Sequence, residues 1–292
     1  MKLSEFIQVS KGGITFLVVL VAVTGFLSNP LAISRILYIV PLAVAGTLAS
    51  FSASIMNNLY DMDIDGKMHR TSYRQNIVNA GNKKALTGIA LAFLIVSMLL
   101  SYFLINYLTS IFIFLGFLSY FVLYTVILKR RTTWNIVIGG IAGSFPALAG
   151  WAAVSGNISI TALFIATLVF MWTPTHFWSL ASYRSEDYKS ADIPMLPSVV
   201  GIEAGYTWIM VNTVILIVFS LLPLFFIIFN MSVIFHVGIV YYILAVISDA
   251  YLAYRMLVIH RTHYAPAQFK SAFIFSNFYL LILLISIWFV VL

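Results

Sequence analysis

The sequence predicts an all-α integral membrane protein, and three observations lead to this class. Hydrophobic residues make up 62% of the 292 residues and charged residues only 9%, whereas a soluble domain carries about a quarter charged residues. The mean hydropathy is +1.03. The apolar residues form continuous runs rather than the alternation of a membrane β-strand, so helices are favoured. We expect one transmembrane domain over residues 1–292.

Nine stretches are predicted to cross the bilayer. A spanning helix needs about 20 predominantly apolar residues, and the first stretch is the shortest of the nine. In chain order the predicted spans are 13–27, 36–56, 85–104, 111–128, 135–154, 161–180, 206–229, 233–257 and 269–292.

The basic residues predict how these spans are oriented. Lys and Arg lie before span 1 and after the even-numbered spans 2, 4, 6 and 8, and only Arg35 falls on the other side. Because cytoplasmic loops collect Lys and Arg, the N-terminus and these loops are expected on the cytoplasmic side of a cell membrane. The residues concerned are Lys2, Lys11, Lys67, Arg70, Arg74, Lys83, Lys84, Lys129, Arg130, Arg131, Arg184, Lys189, Arg255, Arg261 and Lys270.

A first polar cluster follows span 2. Asn57, Asp61 and Asp65 stand four apart, so on a helix they share one face. Their oxygen atoms are the ligands that Mg²⁺ prefers, while Asp63 points elsewhere and is interpreted as structural. The alternative is a solvated helix end whose carboxylates offset the basic residues just downstream.

A second polar cluster, 183–192, follows span 6. Tyr183 and Asp187 share a face if the helix continues, and Lys189 is close. Salt bridging explains this cluster alone as well as metal binding does. The two clusters are four spans apart, which predicts two similar halves and a ninth helix. Facing each other, they could bind Mg²⁺ and a diphosphate, whose departure leaves an allylic cation in a dry cavity.

Several blocks resemble the UbiA-type membrane prenyltransferases. Residues 57–71 are similar to the first motif of that family, and the Asp-x-Asp-Ile-Asp-x-Lys-Met-x-Arg-Thr form of 61–71 resembles its heme-modifying branch. Further matches lie at 124–130, 135–151 and 173–197, the last beginning Thr-Pro-Thr-His-Phe-Trp. The resemblance implies transfer of a farnesyl group from farnesyl diphosphate to a vinyl group of protoheme IX (heme B), with water adding to give heme O.

The resemblance also implies roles for individual residues. One set would bind the Mg²⁺–diphosphate and another would hold phosphate oxygens. The first set is Asn57, Asp61, Asp65 and Asp187 with Tyr183 beside them, and the second is Arg70, Arg74 and Lys129. His176 could contact the heme or be a histidine hydrogen-bonded in a polar cavity. Asn58 departs from the pattern, because many UbiA-type proteins have Asp there.

Two other functions remain open at this point. The same fold could prenylate a quinone or lipid precursor, against which the block at 173–178 argues. A secondary transporter would also suit repeated halves and intramembrane acids such as Asp249. Transport sites usually lie at the midplane, however, whereas these acids are expected at helix ends among basic residues. The sequence does not define the isoprenoid length or the oligomeric state.

Overall fold

A computed structural model describes residues 3–69, 71–228 and 237–290, whose regular elements are all helices, without a strand. Within these ranges, eight helices are long and apolar enough to cross a membrane, and a ninth apolar helix, Gly12–Leu27, is shorter. The predicted nine-span, all-α class is confirmed. Lys2, Arg70 and residues 229, 233–236 and 291–292 of the predicted spans lie outside the described residues.

The first half of the chain carries four spans. They are separated by short helical turns, including 3₁₀ turns at Ile33–Tyr38 and Ser72–Asn76. The helices are α1 (Leu3–Val9), α2 (Gly12–Leu27), α3 (Ile39–Tyr60), α4 (Met62–Asp65), α5 (Lys83–Leu104) and α6 (Tyr107–Leu118), which continues as a π-helix over Ser119–Leu128.

The second half carries five spans. A 3₁₀ turn, Gly140–Gly143, joins the first two of its helices into one span. The helices are α7 (Asn135–Gly139), α8 (Phe145–Ser155), α9 (Ile160–Tyr183), α10 (Ser185–Ser190), α11 (Leu196–Val200), α12 (Ile202–Ser220), α13 (Leu222–Ile228), α14 (Ile239–Arg261) and α15 (Pro266–Ile287), followed by a 3₁₀ turn at Trp288–Val290.

One predicted span has a different shape. The stretch 206–229 was expected to be a single helix, but α12 ends at Ser220 and a separate short helix, α13, follows. Pro223 explains the break, because proline cannot donate a backbone hydrogen bond and its ring clashes with the preceding turn.

The helices pack as a closed bundle. Helix α2 packs on α3 and α8, α3 on α5, and α9 on α12 and α15. The last helix also contacts the first span, and the Trp288 indole Nε1 donates to Thr24 Oγ1 at 3.0 Å. First and last spans are therefore neighbours.

The closest helix packing occurs where α2 crosses α8. A Cβ atom on Gly150 would lie 1.8 Å from the Ala22 carbonyl oxygen, and one on Gly25 would lie 2.0 Å from the Ala147 carbonyl oxygen. Small residues let helix backbones approach in a membrane, where packing rather than water exclusion drives helix association. These two glycines fix the position of α2, and hence of the residues at its N-terminal end.

The intramembrane carboxylate Asp249 is hydrogen-bonded by two hydroxyl groups. Its two oxygens accept from Ser220 Oγ at 2.7 Å and from Tyr279 Oη at 2.8 Å, and its side chain is buried. Arg255 instead donates to Gln268 Oε1 at 2.8 Å. Asp249 therefore links α12, α14 and α15 through hydroxyl groups.

The helix crossing yields a first prediction. Gly150→Ala should destabilise the protein by about 2 kcal/mol, because the added methyl group overlaps the Ala22 carbonyl and the backbones must separate. Gly88→Ala is the matched control, since no atom lies within 4 Å of the added Cβ, and it should stabilise helix α5 slightly. Thermal unfolding in detergent measures both. Equal melting temperatures for the two variants would contradict the close packing.

Candidate active site

The two polar clusters meet at one end of the bundle. The Ser190 hydroxyl donates to the Lys67 carbonyl at 3.2 Å, and Lys67 Nζ lies 3.9 Å from an Asp192 carboxylate oxygen. Ile64 and Met68 from the first cluster share a buried hydrophobic cluster with Tyr188 from the second. The expectation that both clusters lie on the same side of the membrane domain therefore agrees with the structure.

The first cluster lies at a bend in the chain. Helix α3 ends at Tyr60, and Asp61 has φ −92° and ψ 8°. The one-turn hydrogen bonds nevertheless continue, from the Asp61 amide to the Asn57 carbonyl and from the Asp65 amide to the Asp61 carbonyl, both at 2.9 Å. Asn57, Asp61 and Asp65 thus keep the spacing of one helix face, and these residues are at most 4% exposed.

Each of the two buried carboxylates in the first cluster, Asp61 and Asp65, has a basic partner. Lys129 Nζ lies 2.5 Å from Asp61 Oδ2, and Arg130 Nη2 lies 3.4 Å from Asp61 Oδ1. Arg74 Nη1 lies 3.3 Å from Asp65 Oδ1. A buried carboxylate would be costly without such a partner. Two of the residues expected to hold phosphate, Lys129 and Arg74, are therefore at the carboxylates.

A π-helix sets the position of Lys129. The backbone from Ser119 to Leu128 has the wider π turn, and the Lys129 amide donates to the Tyr124 carbonyl, five residues earlier, at 2.8 Å. Such segments are rare and are frequent at functional sites. Nothing in the apolar pattern predicts this segment, because its composition is that of an ordinary span.

Asp63 is directed away from the site, as expected. Its side chain is 61% exposed and accepts two hydrogen bonds of 2.7 Å from Arg130. These hydrogen bonds lower the pKa of Asp63 below its ordinary value. Asp63 therefore stays ionised and orients Arg130, which also contacts Asp61 and the Tyr60 carbonyl.

Asn57 connects Asp61 to Lys11, which was not among the predicted site residues. Its Nδ2 donates to Asp61 Oδ2 at 2.8 Å and to Thr125 Oγ1 at 3.1 Å. Its Oδ1 accepts a hydrogen bond from Lys11 Nζ, which also donates to Tyr120 Oη at 3.0 Å. The only advance signal for Lys11 was its place among the basic residues of the same membrane side.

The departure at Asn58 has a structural reason. Its Nδ2 donates to the Val9 carbonyl at 2.6 Å, and the side chain is buried. An ionised Asp cannot donate this bond. The amide thus attaches the C-terminal end of α1 to helix α3.

The second cluster differs from the prediction in one respect. Tyr183 and Asp187 were expected on one helix face, but α9 ends at Tyr183, and Arg184 (φ −114°, ψ 32°) separates it from α10. Tyr183 lies between two cations, with Arg184 Cζ 4.6 Å and Lys270 Nζ 5.7 Å from its ring centre. Tyr183 and Asp187 both line a cavity of about 290 Å³. Asp187 Oδ2 is buried there without a hydrogen-bond partner.

The carboxylates do not form a compact metal centre by themselves. Across the described ranges, no three His, Cys, Asp or Glu side chains lie close enough together to hold a metal ion. The donor chemistry still suits Mg²⁺, since Asp61, Asp65 and the amide oxygen of Asn57 are hard oxygen ligands, and Asp187 offers an oxygen with no partner. Arg70, also assigned to phosphate, lies outside the described residues.

His176 lies in a buried aromatic cage. Its ring stacks on Trp172 with 4.3 Å between ring centres and lies 4.6 Å from Phe273. Nδ1 is 2.7 Å from Ser276 Oγ, which itself donates to the Phe273 carbonyl at 2.7 Å. If the Ser276 hydroxyl donates its one proton to the Phe273 carbonyl, it accepts from Nδ1–H. The lone pair of the imidazole is then on Nε2.

The chain is similar to known proteins over nearly all of its length. The model of the UbiA prenyltransferase family matches residues 13–282. Protoheme IX farnesyltransferase 2 of Picrophilus torridus is 51% identical over 284 residues, covering 97% of this chain and 96% of that protein. Protoheme IX farnesyltransferase of Sulfurisphaera tokodaii is 37% identical over 290 residues, covering 98% and 92%.

Solved structures share the fold. A structure of digeranylgeranylglyceryl phosphate synthase has a TM-score of 0.77 at 17% identity, covering 99% of this chain and 98% of that one. A UbiA homolog from Archaeoglobus fulgidus, bound to DMAPP and Mg²⁺, has a TM-score of 0.69 at 16% identity, covering 97% and 99%. At these identities the likeness concerns the backbone fold.

The buried ion pair yields a second prediction. Lys129→Met should destabilise the protein by about 3 kcal/mol, because it leaves the Asp61 charge buried without its closest partner. The double variant Lys129→Met/Asp61→Asn should recover part of this loss. Asp63→Asn is the control and should change the unfolding free energy by less than about 1 kcal/mol, since its ion pair is exposed. Denaturant or thermal unfolding in detergent measures these three variants and the single variant Asp61→Asn, and additive effects of the two buried substitutions would refute the coupling.

Proposed function

The chain belongs to the UbiA prenyltransferase family, and from this membership we propose that it transfers a farnesyl group from farnesyl diphosphate to a vinyl group of protoheme IX. It is a multi-pass membrane enzyme and a polyprenyl transferase. The heme acceptor is supported by full-length relatives, since two proteins 51% and 37% identical over at least 92% of their lengths are protoheme IX farnesyltransferases. One observation supports the binding and departure of the diphosphate. Two buried carboxylates, Asp61 and Asp65, are paired with cations at the end of the spans.

The first cluster is suited to bind a metal–diphosphate. Asp61, Asp65 and Asn57 would hold Mg²⁺, which when bound neutralises the charge that develops on the departing diphosphate. Asp187 would contribute from the second cluster, where its Oδ2 lacks a partner. Tyr183 lies beside Asp187 on the same cavity.

The cations at the carboxylates have a second task. Lys129 and Arg74 pair with Asp61 and Asp65. With a metal–diphosphate bound at the carboxylates, Lys129 and Arg74 would be available to phosphate oxygens, to which charged donors bind strongly. Arg70 belongs to the same motif, and we propose it for the same role. The basic groups thus stabilise the carboxylates before binding and the diphosphate after it.

The reaction balances with water as third reactant. The bond between C1 of the farnesyl chain and the diphosphate oxygen breaks, and the diphosphate leaves with the electron pair. The π electrons of the heme vinyl group form the new carbon–carbon bond to C1. Water adds to the carbon next to the porphyrin ring and loses a proton, giving the hydroxyethylfarnesyl group. The hydrophobic bundle interior keeps water from the first cation.

His176 is the residue we assign to the heme. Its Nδ1–H is held by Ser276, so Nε2 presents a lone pair that can bind iron or accept a proton. The Trp172 and Phe273 rings pack against the imidazole and hold its orientation.

The basic residues support an orientation in the cell membrane. Both polar clusters lie at the bundle end that carries Lys67, Lys129, Arg184 and Lys189, and this end is proposed to face the cytoplasm. Anionic farnesyl diphosphate would then enter from the cytoplasmic side.

The carboxylates yield a third prediction. Asp61→Asn and Asp65→Asn should each lower turnover by about 100-fold or more, because they remove metal ligands and so transition-state stabilisation. Asp63→Asn, at an exposed position two residues away, is the matched control and should retain activity. The assay supplies heme B, farnesyl diphosphate and Mg²⁺ to the purified protein in detergent, and mass spectrometry measures the hemes. Product that persists in EDTA, or full activity of Asp61→Asn, would contradict the metal role.

His176 yields a fourth prediction. His176→Ala should weaken heme binding about tenfold, a loss of about 1.4 kcal/mol, and should shift the Soret band if Nε2 binds iron. Affinity for farnesyl diphosphate should stay unchanged. His260→Ala is the control, because His260 is an exposed histidine stacked on Tyr206. Absorbance titration with heme measures both variants, and equal heme affinity for His176→Ala and the wild type would exclude the assignment.

A further inference from the structure

Lys11 has an uncommon backbone conformation at the junction of α1 and α2. Its φ and ψ are 53° and 52°, in the left-handed region. A lysine there is strained, and such strain persists only where surrounding contacts impose it. Glycine adopts this conformation without strain, and two glycines, Gly12 and Gly13, follow Lys11 directly. A lysine at position 11 therefore indicates that its side chain has a role of its own.

Contacts on both sides of Lys11 hold the turn. Before it, the Ser10 amide donates to the Phe6 carbonyl at 2.9 Å, and Asn58 donates to the Val9 carbonyl. After it, the Ile14 amide donates to the Lys11 carbonyl at 2.9 Å. The Val9 side chain is fully buried with Ile55 and Leu59 of α3. The backbone of Lys11 is thus tied to the helix that carries the carboxylates.

The ammonium group of Lys11 reaches the polar site. It donates to Asn57 Oδ1 and to Tyr120 Oη, and it lies 5.7 Å from the Tyr120 ring centre. Asn57 in turn donates to Asp61 Oδ2, the oxygen that also contacts Lys129. Hydrogen bonds therefore run from Lys11 through Asn57 and Asp61 to Lys129, with an ammonium group at each end.

We propose that Lys11 binds the diphosphate of the isoprenoid substrate, and that its bond to Asn57 is the contact it makes before substrate arrives. The proposal rests on the proposed function only in requiring a diphosphate substrate. An amide oxygen and a phenol are neutral acceptors, and phosphate oxygens form stronger, charge-assisted bonds to an ammonium group. An anion bound over Asn57 and Asp61 would meet Lys11 on one side and Lys129 on the other.

The same exchange frees Asn57 for its own task. Its Oδ1 is the atom assigned to the metal, and Lys11 Nζ now binds it. With a metal–diphosphate bound, the amide oxygen of Asn57 would be available to the metal and the Lys11 ammonium group to phosphate. Lys11 thus acts as a substrate-binding residue supplied by the N-terminal segment.

A binding measurement without heme tests this inference. The probe is farnesyl thiolodiphosphate, an unreactive analogue, with Mg²⁺, titrated calorimetrically into the full-length protein in detergent. We expect Lys11→Met to raise the dissociation constant about tenfold, an effect typical of one lost charge-assisted contact. Lys11→Arg should restore affinity to within about threefold, since it keeps the charge.

Two further variants make the result decisive. Lys84→Met removes the same charge from an exposed position at the start of α5 and should bind like the wild type. Lys11→Gln keeps a hydrogen-bond donor without the charge, and it replaces Lys11→Met if that variant fails to fold. Equal affinities for Lys11→Gln and Lys84→Met would overturn the inference. If the wild type itself does not bind the probe, the proposed function fails instead.

Discussion

The pairing of buried carboxylates with cations is the constraint on which the site depends. Asp61 and Asp65 are almost completely buried at the ends of apolar helices, where an unpaired charge is costly. Lys129 and Arg74 reach them from the end of the π-helix and from the loop after α4. With Lys11 included, these contacts hold four separate segments at one end of the bundle. The segments are the junction of α1 and α2, the end of α3, the turn after α4, and the end of the π-helix, which is followed by Lys129 and Arg130. The contacts that hold these segments together are therefore also the contacts that form the proposed diphosphate site.

The buried polar side chains in the two halves of the bundle have different kinds of partner. The first half joins full charges, with Asp61 against Lys129 and Asp65 against Arg74. The second half buries Asp249 and His176 among hydroxyl groups and aromatic rings. Such a division suits two substrates of unlike chemistry, a strongly charged diphosphate and a flat, largely apolar porphyrin. The two halves of the bundle therefore differ in how their polar side chains are paired.

The sequence predicted most of the fold because long apolar runs leave few alternatives in a membrane. The spacing of Asn57, Asp61 and Asp65 also survived, even though the helix bends at Asp61. What it could not predict depends on contacts distant in sequence. The π-helix before Lys129 has no compositional signature, and the contact of Lys11 with Asn57 joins residues 46 positions apart. The break after Tyr183 was missed because nothing in the residues at that point forbids a continuous helix.

The contact between the last helix and the first span bears on how the protein is made. Trp288 bonds to Thr24, and α15 packs on α2, so the bundle can close only after nearly the whole chain has left the ribosome. The helices that carry Asn57, Asp61 and Lys129 enter the membrane much earlier. During biosynthesis the ionic site can assemble while one side of α2 still faces lipid or the insertion machinery. Enzyme maturation would then end with the docking of a helix that contributes none of the acidic groups.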